Sequence, residues 1–217
     1  MAVLAMTDSP ILRSGLTLAA IAAICTALVA FTYQLTDQRI AANEQAWLEQ
    51  SLQPVLPGLT FDNKLIESRL TISAPHDLPG TEDALVYRAY AGDSPIAALF
   101  VVSARDGYAG PIRLLVGLRT DGSITGVHVL AHRETPGLGD LVETSKSDWA
   151  TQLTGRSLQD PQASGWKIRR DGGEFDQLTG ASVTPRAILK AVRETLEYFA
   201  ANSDAIFAAA ADNEANP

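Results

Sequence analysis

Cysteine and histidine are scarce in this chain, which has one cysteine and three histidines among 217 residues. The cysteine, Cys25, lies inside an apolar run, so the chain cannot form an internal disulfide, a Cys-x-x-Cys redox pair or a cysteine-based zinc site. The order of the other polar residues shows neither a Ser-His-Asp triad nor a pair of closely spaced catalytic carboxylates. We therefore predict no metal site, no catalytic residue and no independent catalytic turnover.

Clusters of basic residues are also missing. The chain has 17 Lys and Arg against 25 Asp and Glu, which gives a formal net charge of −8 at pH 7. Nucleic-acid phosphates are bound by basic patches, so this balance predicts no nucleic-acid partner. With 46% apolar residues, the chain is long enough for one ordinary domain with one main core.

The longest apolar segment, residues 14–36, contains no charged residue. A helix of about 20 residues spans the hydrocarbon core of a membrane, so we predict a transmembrane helix here, after a short N-terminal segment, 1–13. The alternative is a cleaved signal peptide, which would remove residues up to about Ala30, although its apolar region is usually shorter, about 7 to 15 residues. One arginine lies on each side of the span, so the flanking charges leave its orientation open.

The next segment, residues 37–55, has an amphipathic helical pattern. Apolar residues recur at spacings of three and four among Gln, Asn and Glu, and Pro54 and Pro57 follow. Proline interrupts helices, so we predict a juxtamembrane helical stem that ends here and leads into a soluble domain, 56–217.

The soluble domain begins with alternating or continuous apolar runs that are typical of strands: 84–91, 96–104, 112–120 and 124–130. The loop 105–111 has two glycines and a proline and predicts a hairpin, with Tyr108 as a packing residue. A helix is expected at 138–153 with Gly155 as its stop, and a short strand at 166–170 followed by a turn at 171–174.

A final helix is predicted from Pro185 to about Ala211. Its apolar residues lie on one face at helical spacing: Ile188, Leu189, Val192, Leu196, Phe199 and Ala200. Strands followed by a core-facing helix predict the α+β class, with a twisted antiparallel sheet covered by helices.

Three hydroxyl side chains, Thr179, Ser182 and Thr184, surround Gly180 and Ala181 just before this helix. One interpretation is structural, with Thr184 as the N-cap and Pro185 as the first helical residue. The other is functional, because free amides at a helix N-terminus bind anions and above all phosphate. The residues by themselves leave both interpretations open.

The segment D-Q-L-T-G-A-S-V-T, residues 176–184, resembles the flavinylation motif of bacterial FMN-binding domains. In that family the last hydroxyl carries FMN through a phosphoester bond, which a flavin transferase installs from FAD. Thr184 occupies that position, and Ser182 stands where Thr is common. The segment H-R-E-T-P-G-L-G-D, residues 132–140, resembles the flavin-pocket loop of the same family, and 107–113 and 171–177 match as well.

Over nearly its whole length the chain resembles the RnfG (also called RsxG) family, whose members are subunits of the Rnf electron transport complexes. The related flavin-carrying subunit of the sodium-pumping NADH:quinone reductase is usually longer. The resemblance implies an electron carrier in a six-subunit complex of the bacterial inner membrane, which moves electrons between ferredoxin and NAD and translocates ions. It also implies a cytoplasmic N-terminus and a periplasmic domain, but it does not distinguish sodium from protons.

The resemblance implies a role for each matching residue. Thr184 would carry the FMN, and Thr179, Gly180, Ala181 and Ser182 would surround its phosphate or ribityl chain. Asp176 would be recognised by the flavin transferase. The loop after residue 133 would form the opposite wall, with Leu138 over a ring face and Glu134 bonded to the ribityl chain or ring edge; the implied residues are Glu134, Thr135, Gly137, Leu138 and Gly139.

Less specific interpretations remain for the same residues. Glu134, Thr135 and Pro136 could form a solvated loop, and His128 and His132 are expected to have surface or packing roles. For the whole protein, the alternatives are a membrane-anchored assembly or binding module without a redox cofactor and a binding domain released from a signal peptide.

Overall fold

The computed structural model describes residues 10–52 and 55–208, and these residues fall into two compact units that divide after Leu48. Helix α1, Pro10–Leu52, contains an apolar segment, Arg13–Tyr33, with a mean hydropathy of 2.1 and no buried residue. Its length and composition suit a membrane span, although a signal sequence has the same properties. The predicted end of the last helix near Ala211 lies outside the described residues.

The second unit contains a five-stranded antiparallel sheet in which each strand pairs with the next one along the chain. The strands are β1 (Arg69–Ile72), β2 (Ala84–Ala91), β3 (Ser94–Ala104), β4 (Ile112–Arg119) and β5 (Ile124–Ala131). The α+β class and the four predicted strands are confirmed. The sequence analysis missed β1, which has only four residues, all of them half-buried.

The main core lies between one face of the sheet and helix α2, Val183–Ala208. Phe100 on β3 contacts Phe199 on α2 edge-to-face, with ring centroids 6.0 Å apart. The predicted apolar face of the helix is buried except for Ala200, which lies at the margin of that face and is exposed.

Two glycines shape the other face of the sheet. Gly117 on β4 lies opposite Gly126 on β5, and Val55 is buried against both. Val116 and Leu118 belong to the α2-side core, so strand alternation places Gly117 on the opposite face. Val55 is therefore anchored to the sheet by close backbone approach.

The predicted helix at 138–153 is wrong. The structure has two short 3-10 helices there, Gly139–Val142 and Trp149–Leu153. Ser147 explains the break, because its hydroxyl donates to the carbonyl of Leu141 and accepts from the amide of Trp149. Such local side-chain bonds compete with a regular helix.

The predicted strand at 166–170 is also wrong. Ala163–Gly165 and Arg169–Asp171 are short 3-10 helices, and only Ile168 bridges to Phe175. The apolar residues that suggested a strand, Trp166 and Ile168, are buried in the main core.

We expect Gly117→Ala to lower the free energy of unfolding by about 1 to 3 kcal/mol, because the new methyl overpacks a filled space. Its Cβ would lie 2.6 Å from Val55 Cγ1 and would collide with Thr125. Urea unfolding of the full-length chain in detergent measures this change. Gly126→Ala is the matched control, since its Cβ comes no nearer than 3.2 Å to Val55, and an equal or larger loss there would contradict the packing account.

Candidate functional site

A cavity of about 330 Å³ lies where three segments meet: the β3–β4 hairpin, the loop after β5 and the start of α2. It is lined by Tyr108, Glu134, Thr135, Leu138, Gly139, Gly180, Ala181, Ser182, Val183 and Thr184. Eight of these ten residues were singled out in the sequence. Folding therefore brings the two motifs together, although about 50 residues separate Glu134 from Thr184 along the chain.

The loop after β5 is held by a tight turn. The carbonyl of Thr135 accepts from the amides of Leu138 and Gly139, both at 3.1 Å, and Gly137 has a positive φ of 76°. Gly139 is required for close approach, because a Cβ there would lie 2.9 Å from Glu134 Oε2 and from Thr184 Oγ1. This turn brings the loop into contact with the start of α2.

The segment before α2 turns at Gly180, which has a φ of 80°, and the amide of Ala181 donates to the carbonyl of Leu178 at 3.1 Å. Helix α2 begins at Val183, so Thr184 and Pro185 already lie in its first turn. The predicted N-cap role of Thr184 is therefore wrong. Its side chain is fully buried, and its hydroxyl donates to Glu134 Oε2.

Glu134 is the central polar group of the cavity. Its side chain is only 4% exposed, so the interpretation of this residue as part of a solvated loop is wrong. Oε2 accepts from Thr184 Oγ1, and Oε1 accepts from the amide of Ala109 in the hairpin at 2.9 Å. Each carboxylate oxygen therefore accepts a hydrogen bond from a different segment of the chain.

A polar network holds the backbone amide of Glu134 in place. The amide of Glu134 donates to His132 Nδ1 at 3.0 Å, so the ring proton lies on Nε2, which donates to Glu143 Oε1 at 2.8 Å. Lys146 Nζ lies 2.6 Å from Glu143 Oε1 and 3.0 Å from Asp140 Oδ2. Hydrogen bonds from Lys146 and His132 lower the pKa of Glu143 to about 2.

His132 is thus a half-buried hydrogen-bonding residue rather than a surface or packing residue. His128 lies on β5 and does not line the cavity. Burial lowers the pKa of His128, which favours the neutral ring.

Apolar side chains are exposed at this cavity. Among described residues outside α1, the large exposed apolar side chains are Tyr108 (71%), Leu138 (40%) and Val183 (39%), and all three line it. The expectation that Tyr108 is a packing residue is therefore wrong. Exposed apolar surface beside a few polar groups is typical of a ligand-binding site.

Three predicted residues do not line the cavity: Gly137, Thr179 and Asp176. Gly137 shapes the turn, and Thr179 is exposed. The carboxylate of Asp176 is 59% exposed and lies 2.9 Å from Arg169. Sequence reasoning missed the amide of Ala109 and the lining roles of Tyr108 and Val183, although residues 107–113 and 176–184 had been matched.

A larger cavity, of about 420 Å³, lies at the ends of β3 and β4 and is bordered by the segment 79–84. None of the predicted site residues lines it, and its charged side chains have both signs: Glu82, Asp83, Arg105 and Arg113. The smaller cavity combines a buried carboxylate, a buried hydroxyl and exposed apolar side chains, so we assign the candidate site to it.

The chain is similar to known proteins. Residues 107–197 match the FMN-binding domain, a range that includes every residue of the cavity, and residues 2–55 match the RnfG N-terminal region. A protein of Shewanella oneidensis is 42% identical over 92% of this chain and 94% of its own length. A protein of Pseudomonas aeruginosa is 41% identical over 94% and 95%, respectively. Both are named as the same subunit, designated G, of an ion-translocating oxidoreductase complex.

We expect Glu143→Gln to destabilise the protein at neutral pH but not in strong acid. The pKa of Glu143 is lowered from 4.5 to about 2 in the folded state, so ionised Glu143 stabilises the fold above pH 4.5. That contribution is lost as the pH falls from 4.5 to about 2. Because the group is partly exposed, we expect about 1 kcal/mol at neutral pH.

Urea unfolding at a series of pH values measures this difference. Glu197→Gln is the control, because Glu197 pairs with Arg193 on the surface of α2 and should change stability by less than about 0.5 kcal/mol. A Glu143→Gln effect that stays constant down to pH 2 would show that ionisation is not its cause.

Proposed function

Because this chain belongs to the RnfG family of ion-translocating oxidoreductase subunits, we propose that it carries electrons within such a complex by means of bound FMN. The observation that carries this proposal is the meeting of exposed Tyr108, Leu138 and Val183 with the buried Thr184 hydroxyl in one cavity. FMN has a flat, partly apolar ring at one end and a phosphate at the other, and the cavity has both kinds of surface.

The residues present fit FMN. The volume of about 330 Å³ lies within the usual range for cofactor pockets, about 300 to 1,000 Å³. Leu138 and Val183 offer apolar contact to a ring. Gly180, Ala181 and Ser182 lie just before the N-terminus of α2, where amides and a hydroxyl favour a phosphate and the polar chain next to it.

The attachment we propose is a phosphoester between FMN and Thr184 Oγ1. Thr184 lies in the first turn of α2, so the remaining negative charge of the diester is stabilised there by about 0.3 to 1 kcal/mol. A covalent bond also removes the dissociation equilibrium, so the carrier cannot lose its cofactor. FMN supplies the redox chemistry, and the protein supplies attachment, orientation and electrostatics.

We also propose where the protein lies in the cell. Residues 14–36 would cross the bacterial inner membrane, 37–55 would form a stem, and 56–217 would be the periplasmic FMN-binding domain, with 1–13 in the cytoplasm. The long apolar helix and the match to the RnfG N-terminal region support this arrangement.

The proposed partners are the other subunits of a six-subunit Rnf-type complex, which links ferredoxin and NAD to ion translocation, and a flavin transferase that acts transiently. The relatives are named as subunits of a complex, which supports the first. Exposed Asp176, outside the cavity, suits recognition by a second protein. We expect turnover by the assembled complex and not by this polypeptide alone.

Thr184→Ala should abolish covalent flavin. We expect the wild-type chain, coexpressed with a flavin transferase, to gain the mass of one phosphoester-linked FMN and to fluoresce on a denaturing gel. The variant lacks the only oxygen that we propose forms the ester. Intact mass spectrometry of the membrane fraction measures this and also shows whether residues up to Ala30 are retained.

Ser182→Ala is the matched control, because it removes a hydroxyl two residues away in the same cavity and should keep the flavin. Flavin retained by Thr184→Ala but lost from Ser182→Ala would move the attachment to Ser182. A wild-type chain without flavin would favour the assembly module.

A further inference from the structure

We propose that Glu134 is the general base for the attachment of FMN to Thr184, taking the proton of the Thr184 hydroxyl during the reaction. This inference rests on the proposed function. It assigns to this chain, rather than to the enzyme that modifies it, the group that activates the nucleophile.

The first observation is the contact itself. Thr184 Oγ1 donates its proton directly to Glu134 Oε2, and both side chains are buried, at 0% and 4% exposure. A threonine hydroxyl is a weak nucleophile and is usually activated by a base within hydrogen-bond reach. Glu134 is the only carboxylate among the ten residues that line the cavity.

The second observation is the orientation of the base. The amide of Ala109 donates to Glu134 Oε1 at 2.9 Å, which directs Oε2 at Thr184. The amide of Glu134 is in turn bonded to His132 Nδ1 at 3.0 Å, and His132 Nε2 is bonded to Glu143. A nucleophile, a base and a third group that orients the base form the usual arrangement for nucleophilic activation. His132 and Glu143 act here as positioning residues.

The third observation is the space around the pair. A Cβ at Gly139 would lie 2.9 Å from both Glu134 Oε2 and Thr184 Oγ1. Any other residue at 139 would therefore push the two groups apart or displace the loop. Gly139 thus permits the direct contact between Glu134 and Thr184.

The proposed step is a transfer of the FMN phosphoryl group in which one phosphorus–oxygen bond forms and one breaks. Thr184 Oγ1 forms a bond to the phosphorus on the flavin side of the pyrophosphate of a flavin dinucleotide. The phosphorus–oxygen bond to the adenylate half breaks, and its electron pair leaves with AMP. The Thr184 proton moves to Glu134 Oε2, and nothing is oxidised or reduced.

The test measures single-turnover attachment. Full-length chain prepared without its transferase is mixed with FAD and an excess of flavin transferase, and intact mass spectrometry follows the gain of FMN. We expect Glu134→Gln to slow attachment by about 100-fold or more, as expected for loss of a general base. Glu197→Gln, the matched surface substitution on α2, should react at the wild-type rate.

A purely structural role for Glu134 gives a different result. Noncovalent binding of FMN and the thermal melting temperature report whether Glu134→Gln keeps the cavity and the fold. We expect the melting temperature to stay close to wild type, and any loss of noncovalent FMN binding to be much smaller than the fall in attachment rate. A folded Glu134→Gln variant that attaches FMN at the wild-type rate would overturn the inference and leave the proposed function intact. A wild-type chain that accepts no flavin would instead overturn the proposed function.

A second variant covers the case in which Glu134→Gln does not fold. Glu134→Ala leaves room for a small carboxylate, so formate added to the assay should restore at least about a tenth of the wild-type rate without raising the melting temperature. Rescue that only follows a rise in melting temperature, or no rescue at all, counts against the proton-acceptor role.

Discussion

The buried carboxylate of Glu134 is the constraint on which the candidate site depends. One of its oxygens accepts from Thr184 at the start of α2, and the other accepts from Ala109 in the β3–β4 hairpin. A buried carboxylate without hydrogen-bond partners is unfavourable, and the partners of Glu134 come from two other segments that are distant in the chain. The cavity is the space that remains between them.

The rest of the domain makes this arrangement possible. Strands β3 and β4 and helix α2 share the main core, so the hairpin and the start of the helix are attached to rigid elements. The loop after β5 is less regular, and the network from His132 through Glu143 to Lys146 holds its base. The side chains that stay exposed at the cavity, Tyr108 above all, add nothing to the core, which is why they are free to contact a ligand or a partner.

Local patterns predicted much of the fold. The long apolar helix was recognisable because no charged residue interrupts its apolar segment, and the strands at 84–91, 112–120 and 124–130 because apolar residues alternate or run continuously along them. The helix expected at 138–153 and the strand at 166–170 failed for a different reason. Side chains such as Ser147 bond to nearby backbone, and apolar residues such as Trp166 fill the core from irregular segments. Periodicity carries no information about either effect.

By itself, the sequence determined the composition and charge of the chain, its apolar segment and the two motifs around Glu134 and Thr184. These features depend only on residue types or on their spacing over short distances. The tertiary structure decided that Thr184 donates to a buried carboxylate instead of capping its helix, that His132 supports that carboxylate, and that Tyr108 is exposed at the cavity. The physical reason is distance along the chain. Hydrogen bonds between residues 25 to 50 positions apart exist only once the sheet and α2 have packed together.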